Sequence, residues 1–222
     1  MYLQITTKCN MSCSHCCFGC RPGVGQDMSK ETFEAACEIA MNSGSHICLG
    51  GGEPTLHPEF WEFMGLAMKY DACGDSELRI LVITNGSLTQ DALALAGMAR
   101  KGLIYADLSQ DEWHDPIDTR VVEAFQRLRK QGGSGGIRSV TSITNHGSAK
   151  KNKLSTDTSV CCCEDWLVMP NGKIYGCGCR RYSFGTVHDY TIPEDFQIGE
   201  DCVVKWKQGQ GALQGLQGQA AI

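Results

Sequence analysis

The stretch KCNMSCSHCCFGC, Lys8–Cys20, holds five of the chain's 14 cysteines. It directly follows a strand-like segment, YLQIT, at Tyr2–Thr6. A loop so rich in thiols can be a disulfide knot, a zinc site or the binding loop of an iron–sulfur cluster. The loop alone leaves all three open, and the choice depends on the rest of the chain.

The composition is that of an ordinary globular protein. The chain has 222 residues, of which 42% are hydrophobic, and it can bury one good core. Its formal net charge of −5 gives no reason to expect a nucleic-acid partner. No apolar stretch reaches the roughly 18 residues that cross a bilayer, so no membrane partner is expected.

The start of the chain bears on the chemistry of the cysteines. Met1 is followed at once by a strand pattern, with no secretory signal. We therefore expect a cytoplasmic protein, in a reducing compartment where cysteines bind metals more often than they form disulfides. The cysteines are also concentrated in two blocks, residues 9–20 and 161–179.

Strand-like and helix-like segments alternate between the two blocks. The predicted strands are Tyr2–Thr6, His46–Gly50, Leu78–Thr84, Leu103–Ser109 and Ile137–Thr144. The predicted helices are Ser29–Gly44 with Ser29 as N-cap, His57–Tyr70 opened by Pro58, Thr89–Gly102 and Asp118–Gly132. This order predicts a parallel sheet, either open or curved into a partial barrel, with too few strands for a complete barrel of eight.

The pattern changes after residue 145, where this core, residues 1–145, ends. Residues 132–136 within the core are glycine-rich and predicted to form a flexible joint. Residues 146–160 are polar and unpatterned, as in a linker or lid. Residues 161–205 carry the second cysteine block and a predicted β-hairpin with its turn at Asn171–Gly172. Residues 206–222 are rich in Gly and Gln and are predicted to be poorly ordered.

The first block contains the spacing C-x3-C-x2-C at Cys9, Cys13 and Cys16. Three thiolates on a short loop can hold three irons of a cubic cluster and leave the fourth open to a small molecule. Zinc would instead need a fourth protein ligand if structural, and His15, Cys17 or Cys20 could complete such a set. Both readings are compatible with the loop.

The loop resembles the C-x3-C-x-φ-C signature of the radical S-adenosylmethionine (radical SAM) superfamily, with His15 at the φ position. Three further segments resemble stretches of that family: GGGEP at Gly50–Pro54, TNG at Thr84–Gly86 and DLSQDEWHD at Asp107–Asp115. Each follows a different predicted strand. Because the carboxyl ends of parallel strands meet at one edge of a sheet, all four segments are expected on the same rim.

The resemblance implies a fold, two cofactors and a set of contacts. The fold is an α/β partial (β/α) barrel with a small C-terminal cysteine-rich β-hairpin extension. The cofactors are a [4Fe-4S] cluster on Cys9, Cys13 and Cys16, and S-adenosylmethionine, which is cleaved reductively to a 5′-deoxyadenosyl radical that abstracts a hydrogen atom. The implied cofactor-binding residues are His15, Gly51, Gly52, Glu53, Asn85 and Ser109.

Individual roles follow from the same resemblance. Gly51 and Gly52 lack side chains and would let a ligand approach the backbone. Glu53 would accept a hydrogen bond from the amino group of S-adenosylmethionine. Ser109 would contact a ribose hydroxyl, and Asn85 would make a neighbouring polar contact. Asp111 and His114, on the same rim, are candidate catalytic residues that could move a proton.

The second block resembles the start of the extension called SPASM or, when shorter, twitch. Candidate ligands of one auxiliary iron–sulfur cluster there are Cys161, Cys162, Cys177, Cys179 and Cys202. A structural zinc knuckle on the same hairpin is the alternative.

Enzymes with this layout often modify peptides or proteins, so a maturase-type enzyme with a peptide substrate is predicted. An electron donor such as flavodoxin or ferredoxin, and a separate leader-binding protein, would be its partners. One alternative is a radical SAM enzyme acting on a small molecule or nucleoside precursor. An alternative of another class is a non-catalytic iron–sulfur or zinc-binding protein.

Overall fold

The computed structural model describes residues 1–72, 80–140, 143–154, 165–180 and 182–192. Its strands are β1 Tyr2–Thr6, β2 Ile47–Gly51, β3 Ile80–Thr84, β4 Tyr105–Ser109, β5 Gly135–Arg138, β6 Leu167–Val168, β7 Lys173–Tyr175, β8 Ser183–Thr186 and β9 Asp189–Tyr190. Its helices are α1 Lys30–Asn42, α2 Phe60–Ala72, α3 Thr89–Arg100, α4 Thr119–Lys130 and α5 Gly147–Lys151, with a 3-10 turn at Pro54–Leu56.

All nine strands belong to one sheet, in the order β5-β4-β3-β2-β1-β6-β7-β8-β9. The first five strands are parallel, and each of β1 to β4 pairs with the strand that follows it in the chain. Helices α1 to α4 connect them. The predicted partial β/α barrel of parallel strands is confirmed, and the sheet does not close on itself.

Side-chain caps fix where two of the helices begin. The hydroxyl of Ser29 accepts a hydrogen bond from the amide of Thr32 at 3.3 Å, as the predicted N-cap requires. The carboxylate of Asp118 caps α4 by accepting from the amide of Arg120 at 2.9 Å. Both caps satisfy amides that have no partner within their helix.

Helix α2 begins later than predicted. His57 and Pro58 precede the helix, because the chain first forms the 3-10 turn after Glu53. The ring nitrogen Nδ1 of His57 accepts from the amide of Glu59 at 3.1 Å, which satisfies an amide just ahead of the helix.

The predicted flexible joint at residues 132–136 is wrong in its second half. Gly135 and Gly136 belong to β5 and pair with Ala106 and Asp107 of β4. Gly135 has a φ of +127°, and a Cβ there would lie 1.9 Å from the carbonyl oxygen of Ala106. The glycine is therefore needed for the approach of β5 to β4, not for flexibility.

The C-terminal hairpin extends the same sheet. Strands β6 and β7 are antiparallel around the predicted Asn171–Gly172 turn, and Gly172 has a φ of +77°. Strand β6 lies parallel to β1, with Leu167 opposite Tyr2. Strands β8 and β9, which the sequence patterns did not predict, continue the sheet beyond the hairpin.

The two faces of the parallel sheet differ in what covers them. Along β3 and β4, residues Ile80, Val82, Ala106 and Leu108 are buried among the helices. The residues between them, Leu81, Ile83, Asp107 and Ser109, are only half-buried. One face of the sheet thus packs on the helices and the opposite face is partly open.

Within the described ranges, no helix is both long enough and apolar enough to cross a membrane.

Candidate active site

The loop that follows β1 is held against the end of β2 by backbone hydrogen bonds. The amide of Gly52 donates to the carbonyl of Thr6, and the amide of Glu53 donates to the carbonyl of Lys8, both at 2.8 Å. A Cβ on Gly52 would lie 2.1 Å from the carbonyl oxygen of Lys8, and one on Gly51 would lie 2.6 Å from that of Thr6. Because Gly51 and Gly52 lack side chains, the cysteine loop can pack directly on the end of β2. The expected approach of a ligand to the backbone of these two glycines stays a prediction.

Cys9, Cys13 and Cys16 are free and half-buried on this loop. Burial raises the pKa of Cys9, and burial together with the neighbouring Cys16 and Cys9 sulfurs raises the pKa of Cys13 to about 11. The sulfurs of Cys16 and Cys9 therefore lie close enough to Cys13 to disfavour its ionisation. A cationic metal group would relieve this repulsion by binding all three as thiolates.

The positions of the three sulfurs help to distinguish a single zinc ion from an iron–sulfur cluster as the group that they bind. Zn–S bonds of about 2.3 Å bring the sulfurs of one tetrahedral ion to within about 4 Å of one another. Within the described residues, Cys9, Cys13 and Cys16 do not form a group whose ligand atoms all lie within 4.8 Å. The three sulfurs are thus not gathered as the ligands of one zinc ion would be, and three thiolates are the donor type of an iron–sulfur cluster.

Cys20 lies beneath this set. Its side chain is buried, and its thiol is hydrogen-bonded to the sulfur of Cys16, which lowers the pKa of Cys16 to about 6. The amide of Gln4 donates to the Cys20 sulfur at 3.7 Å. Cys20 therefore stabilises the thiolate of a predicted cluster ligand, a role that sequence analysis did not propose.

Glu53 is turned into the protein rather than toward the rim. Its side chain is fully buried, and Oε1 accepts hydrogen bonds from the Thr55 hydroxyl at 2.6 Å, the Thr84 hydroxyl at 2.8 Å and the Thr55 amide at 3.2 Å. Oε2 accepts from the amide of Asn85 at 2.6 Å. These hydrogen bonds hold the carboxylate against β3 and the 3-10 turn, and its expected contact with the amino group of S-adenosylmethionine stays a prediction.

Asn85 lies beside the cysteine loop. It is 7% exposed, and its Nδ2 approaches Oδ1 of Asn10 at 3.1 Å and the sulfur of Cys9 at 3.8 Å. Its Oδ1 accepts from the amide of Ser87 at 2.9 Å. The side chain therefore joins the end of β3 to a predicted cluster ligand, and the motif TNG was the only sequence signal for it.

His15, Asp111 and His114 come together at the rim. Their ligand atoms all lie within 4.8 Å of one another, and the rings of His15 and His114 are 5.2 Å apart. Burial, and then His114, lowers the pKa of His15. The three residues lie on loops after β1 and β4, so the tertiary structure joins the φ position of the cysteine motif to the two candidate catalytic residues.

Asp111 orients His114 and links two loops. Its Oδ1 lies 2.7 Å from Nδ1 of His114, and its Oδ2 accepts from the amide of Val140 at 3.0 Å. Burial raises the pKa of Asp111, but these hydrogen bonds outweigh burial and leave the pKa below its ordinary value. Ser109, half-buried, ends β4 next to them.

The predicted linker also reaches the site. The amide of Ser148, in α5, donates to the carbonyl of Cys16 at 2.8 Å, and Nδ2 of Asn152 donates to the carbonyl of Ser14 at 2.9 Å. Nothing in the polar sequence of the predicted linker signalled that Ser148 and Asn152 contact the cysteine loop.

In the second block, Cys177 and Cys179 lie together after β7, with Cα atoms 5.4 Å apart and their sulfurs in contact. Cys161, Cys162 and Cys202 lie outside the described residues, as does the predicted tail, residues 206–222. The auxiliary ligand set therefore stays a prediction.

A family model described as the Radical SAM superfamily matches residues 3–148, about two thirds of the chain. The chain belongs to the radical SAM superfamily. It is therefore an enzyme whose family implies a [4Fe-4S] cluster and S-adenosylmethionine, and the three free cysteines fit such a cluster in type and spacing.

Two curated proteins resemble the chain over most of its length. It is 22% identical over 209 residues, 93% of this chain and 42% of the relative, to the antilisterial bacteriocin subtilosin biosynthesis protein AlbA of Bacillus subtilis. It is 29% identical over 163 residues, 69% of this chain and 40% of the relative, to the mycofactocin maturase MftC of Mycobacterium tuberculosis. The chain thus spans about two fifths of the length of these curated relatives.

A solved structure described as native anSMEcpe with bound AdoMet and Kp18Cys peptide has the same fold. Its TM-score is 0.57 at 17% identity, and the alignment covers 86% of this chain and 78% of that one. At this identity, the likeness supports the partial barrel of the radical SAM superfamily.

Proposed function

We propose that this radical SAM enzyme modifies a peptide or protein, as a maturase. The observation that carries the proposal is the match to the bacteriocin biosynthesis protein. The alignment covers 93% of this chain, so it includes the second cysteine block as well as the first. The maturase among its relatives supports the same substrate class.

Cys9, Cys13 and Cys16 would hold three irons of the cluster, and the fourth iron would be open to S-adenosylmethionine. The chemistry that these groups supply is reductive cleavage to methionine and a 5′-deoxyadenosyl radical, which takes a hydrogen atom from the substrate. Within the chain, the amide of Gly52 holds the start of the cluster loop against the end of β2. Glu53 accepts a hydrogen bond from the amide of Asn85, whose side chain contacts the Cys9 sulfur.

Proton movement in the proposed reaction is assigned to His114. The Asp111 carboxylate is hydrogen-bonded to Nδ1 of His114, which leaves Nε2 as the ring nitrogen that can meet a substrate. His15, next to this ring, and Ser109, at the end of β4, are the proposed contacts to the adenosyl part of the cofactor.

The second cluster and the partners belong to the proposal as well. Cys161, Cys162, Cys177, Cys179 and Cys202 are the proposed ligands of an auxiliary cluster. A flavodoxin or ferredoxin would supply electrons. A separate protein would bind the leader of the peptide.

The first test asks whether the chain cleaves S-adenosylmethionine. Protein reconstituted with iron and sulfide without oxygen is incubated with dithionite and S-adenosylmethionine, and 5′-deoxyadenosine is measured. We expect release by the wild type and by C37A, whose thiol is buried in α1, and loss of release in C13A. No release by the wild type would support the alternative of a non-catalytic iron–sulfur or zinc-binding protein.

The second test identifies the class of the hydrogen donor. Source cells grown in heavy water yield a deuterated peptide and protein fraction and a deuterated small-molecule fraction, which are added separately. We expect deuterium in 5′-deoxyadenosine only with the peptide and protein fraction. Protease treatment of that fraction should abolish the transfer. Deuterium transfer only from the second fraction would contradict a peptide substrate.

A further inference from the structure

The short helix α5 is packed directly on the loop that carries the predicted cluster ligands. The amide of Ser148 donates to the carbonyl of Cys16 at 2.8 Å, and Nδ2 of Asn152 donates to the carbonyl of Ser14 at 2.9 Å. Gly147, the first residue of α5, has a φ of +55°, and a Cβ there would lie 2.4 Å from the carbonyl oxygen of Cys16. Glycine at this position therefore allows the backbone of α5 to lie against the loop.

The other end of α5 presents lysines to solvent. Lys150, Lys151 and Lys153 are all exposed, and we call them the lysine patch. Within the described part of the chain, none of the three belongs to an ion pair of 4.0 Å or less. An α-helix rises about 1.5 Å per residue, so Lys151 lies only about 5 Å along the axis from Ser148, which contacts the loop. The patch is therefore positioned beside the cysteine loop.

Lys153 occupies a backbone position that favours glycine. Its φ is +57°, in the left-handed region. Its amide donates to the carbonyl of Lys150 at 3.3 Å, and the amide of Leu154 donates to the carbonyl of Ala149 at 3.0 Å, the two hydrogen bonds of a Schellman motif. Stability alone would favour glycine at this helix end. What the lysine adds is its positive charge.

The lysine patch contrasts with the rest of the chain. The chain has 25 Asp and Glu against 20 Lys and Arg, which gives a formal net charge of −5. No Asp or Glu occurs between Glu123 and Asp157, so the patch has no acidic neighbours in sequence. A partner with an acidic surface would be repelled by the net charge and attracted by the patch, and this combination orients its approach.

We propose that the lysine patch is the docking site of an acidic one-electron carrier protein. The bound carrier would lie beside the loop segment from Ser14 to Cys16, whose carbonyls α5 holds. In the transfer, the carrier is oxidised by one electron and the cluster on this loop is reduced by one electron. The proposed cleavage of S-adenosylmethionine consumes that electron.

This inference rests on the proposed function for the use of the electron, and it adds the surface at which the electron arrives. A nucleic acid carries a negative charge at every phosphate along its length, so the acidic remainder of the chain would repel it. A compact acidic protein can place its charges on the lysine patch alone. The charge distribution therefore favours a protein carrier.

Binding of the carrier to the reconstituted full chain, without oxygen and without S-adenosylmethionine, is the first test. The probes are oxidised flavodoxin and oxidised ferredoxin in separate arms. We expect at least one of them to bind, more weakly at high ionic strength. K150E/K151E should raise its Kd about tenfold or more, and K150Q/K151Q should raise the Kd by a smaller factor.

The matched control reverses two neighbouring charges elsewhere. Arg100 and Lys101 are exposed at the end of α3, as Lys150 and Lys151 are at the end of α5. Because α3 leads into β4, its end lies at the edge of the sheet opposite the cysteine loop. R100E/K101E changes the net charge equally and should leave the Kd within about twofold of the wild type.

The second test measures delivery of the electron. Release of 5′-deoxyadenosine is followed with the reduced carrier as donor and, separately, with dithionite. In K150E/K151E, the carrier concentration for half-maximal release should rise about tenfold or more. Release with dithionite should stay within about twofold of the wild type, because a small reductant needs no docking surface. K153G removes one charge where glycine is favoured, so it should keep the fold and raise the carrier concentration by a smaller factor.

Four outcomes would overturn the inference. Neither carrier binds the wild type; the lysine variants bind the carrier as the wild type does; a bound carrier gives no release although dithionite does; or a random-sequence oligonucleotide binds more tightly than either carrier and loses binding in K150E/K151E. The last result would assign the patch to a nucleic acid.

The proposed function is judged separately, by release with dithionite and by the class of the hydrogen donor. Release with dithionite in the absence of carrier binding would remove this inference alone. Carrier binding that depends on the lysine patch, without any release with dithionite, would remove the proposed reaction alone.

Discussion

The amide of Asn85 donates a 2.6 Å hydrogen bond to Oε2 of Glu53 and so joins the end of β3 to the end of β2. The carboxylate is fully buried, and its other oxygen accepts from three donors on Thr55 and Thr84. The loop that carries Asn85 also reaches Cys9. Glu53 therefore acts as an internal brace that positions the rim of the candidate active site.

Replacing Glu53 by glutamine tests this brace. In E53Q, an NH2 group replaces one carboxylate oxygen and cannot accept the hydrogen bonds that this oxygen accepted. The free energy of unfolding should therefore fall by about 1–3 kcal/mol. Urea denaturation of the metal-free protein measures the change. E38Q, at an exposed position in the middle of α1, should change it by less than about 0.5 kcal/mol. Equal stability of E53Q and E38Q would show that the hydrogen bonds of the Glu53 carboxylate do not stabilise the fold.

Adding one methyl group to Gly52 should displace the cysteine loop. The new Cβ would lie 2.1 Å from the carbonyl oxygen of Lys8, a backbone atom that cannot move without the loop. G52A should lose about 1–3 kcal/mol of unfolding free energy and bind less iron on reconstitution. In the matched control G97A, on α3, the Cβ meets nothing within 4 Å, and stability should rise by about 0.5–1 kcal/mol. Normal iron content in G52A would contradict this account of the loop.

The hydrogen bonds to Asp111 predict a pH dependence of stability. Because the folded-state pKa of Asp111 is lowered, its contribution is fully present above the unfolded value near 3.8 and is lost as the pH falls through the folded value. From about pH 5 down to about pH 2, the stability of the wild type should therefore fall more steeply than that of D111N. D189N, at an exposed position on β9, should follow the wild type. Parallel pH curves for D111N and the wild type would show that these hydrogen bonds do not favour the charged form.

Removing the Asn85 side chain should make the cluster harder to reduce. A hydrogen bond to a cysteine sulfur stabilises the extra negative charge of the reduced cluster, so its loss lowers the reduction potential. A redox titration of reconstituted N85A, followed by electron paramagnetic resonance, should give a lower midpoint than the wild type. S45A, in the turn after α1, is the control. An unchanged midpoint in N85A would show that the 3.8 Å approach to Cys9 has no electrostatic effect.

Much of the framework was readable from local sequence. Strand β1 was predicted with its observed bounds, and α1 begins after the N-cap that Ser29 indicated. These features depend on side-chain periodicity and on single capping residues, which act over a few positions. Helix α2 was misplaced at its start because the chain first forms the 3-10 turn after Glu53, which the sequence pattern did not indicate.

The chain's order of strands and helices, its three-cysteine loop and the polar segments at the strand ends were determined by sequence alone, because alternation and spacing are local properties. Only the tertiary structure decided that Glu53 points inward, that α5 packs on the cysteine loop and that β6 joins β1. Each of these depends on which distant segments meet. Such long-range contacts are set by the packing of a curved sheet on its helices, and no short stretch of sequence encodes them.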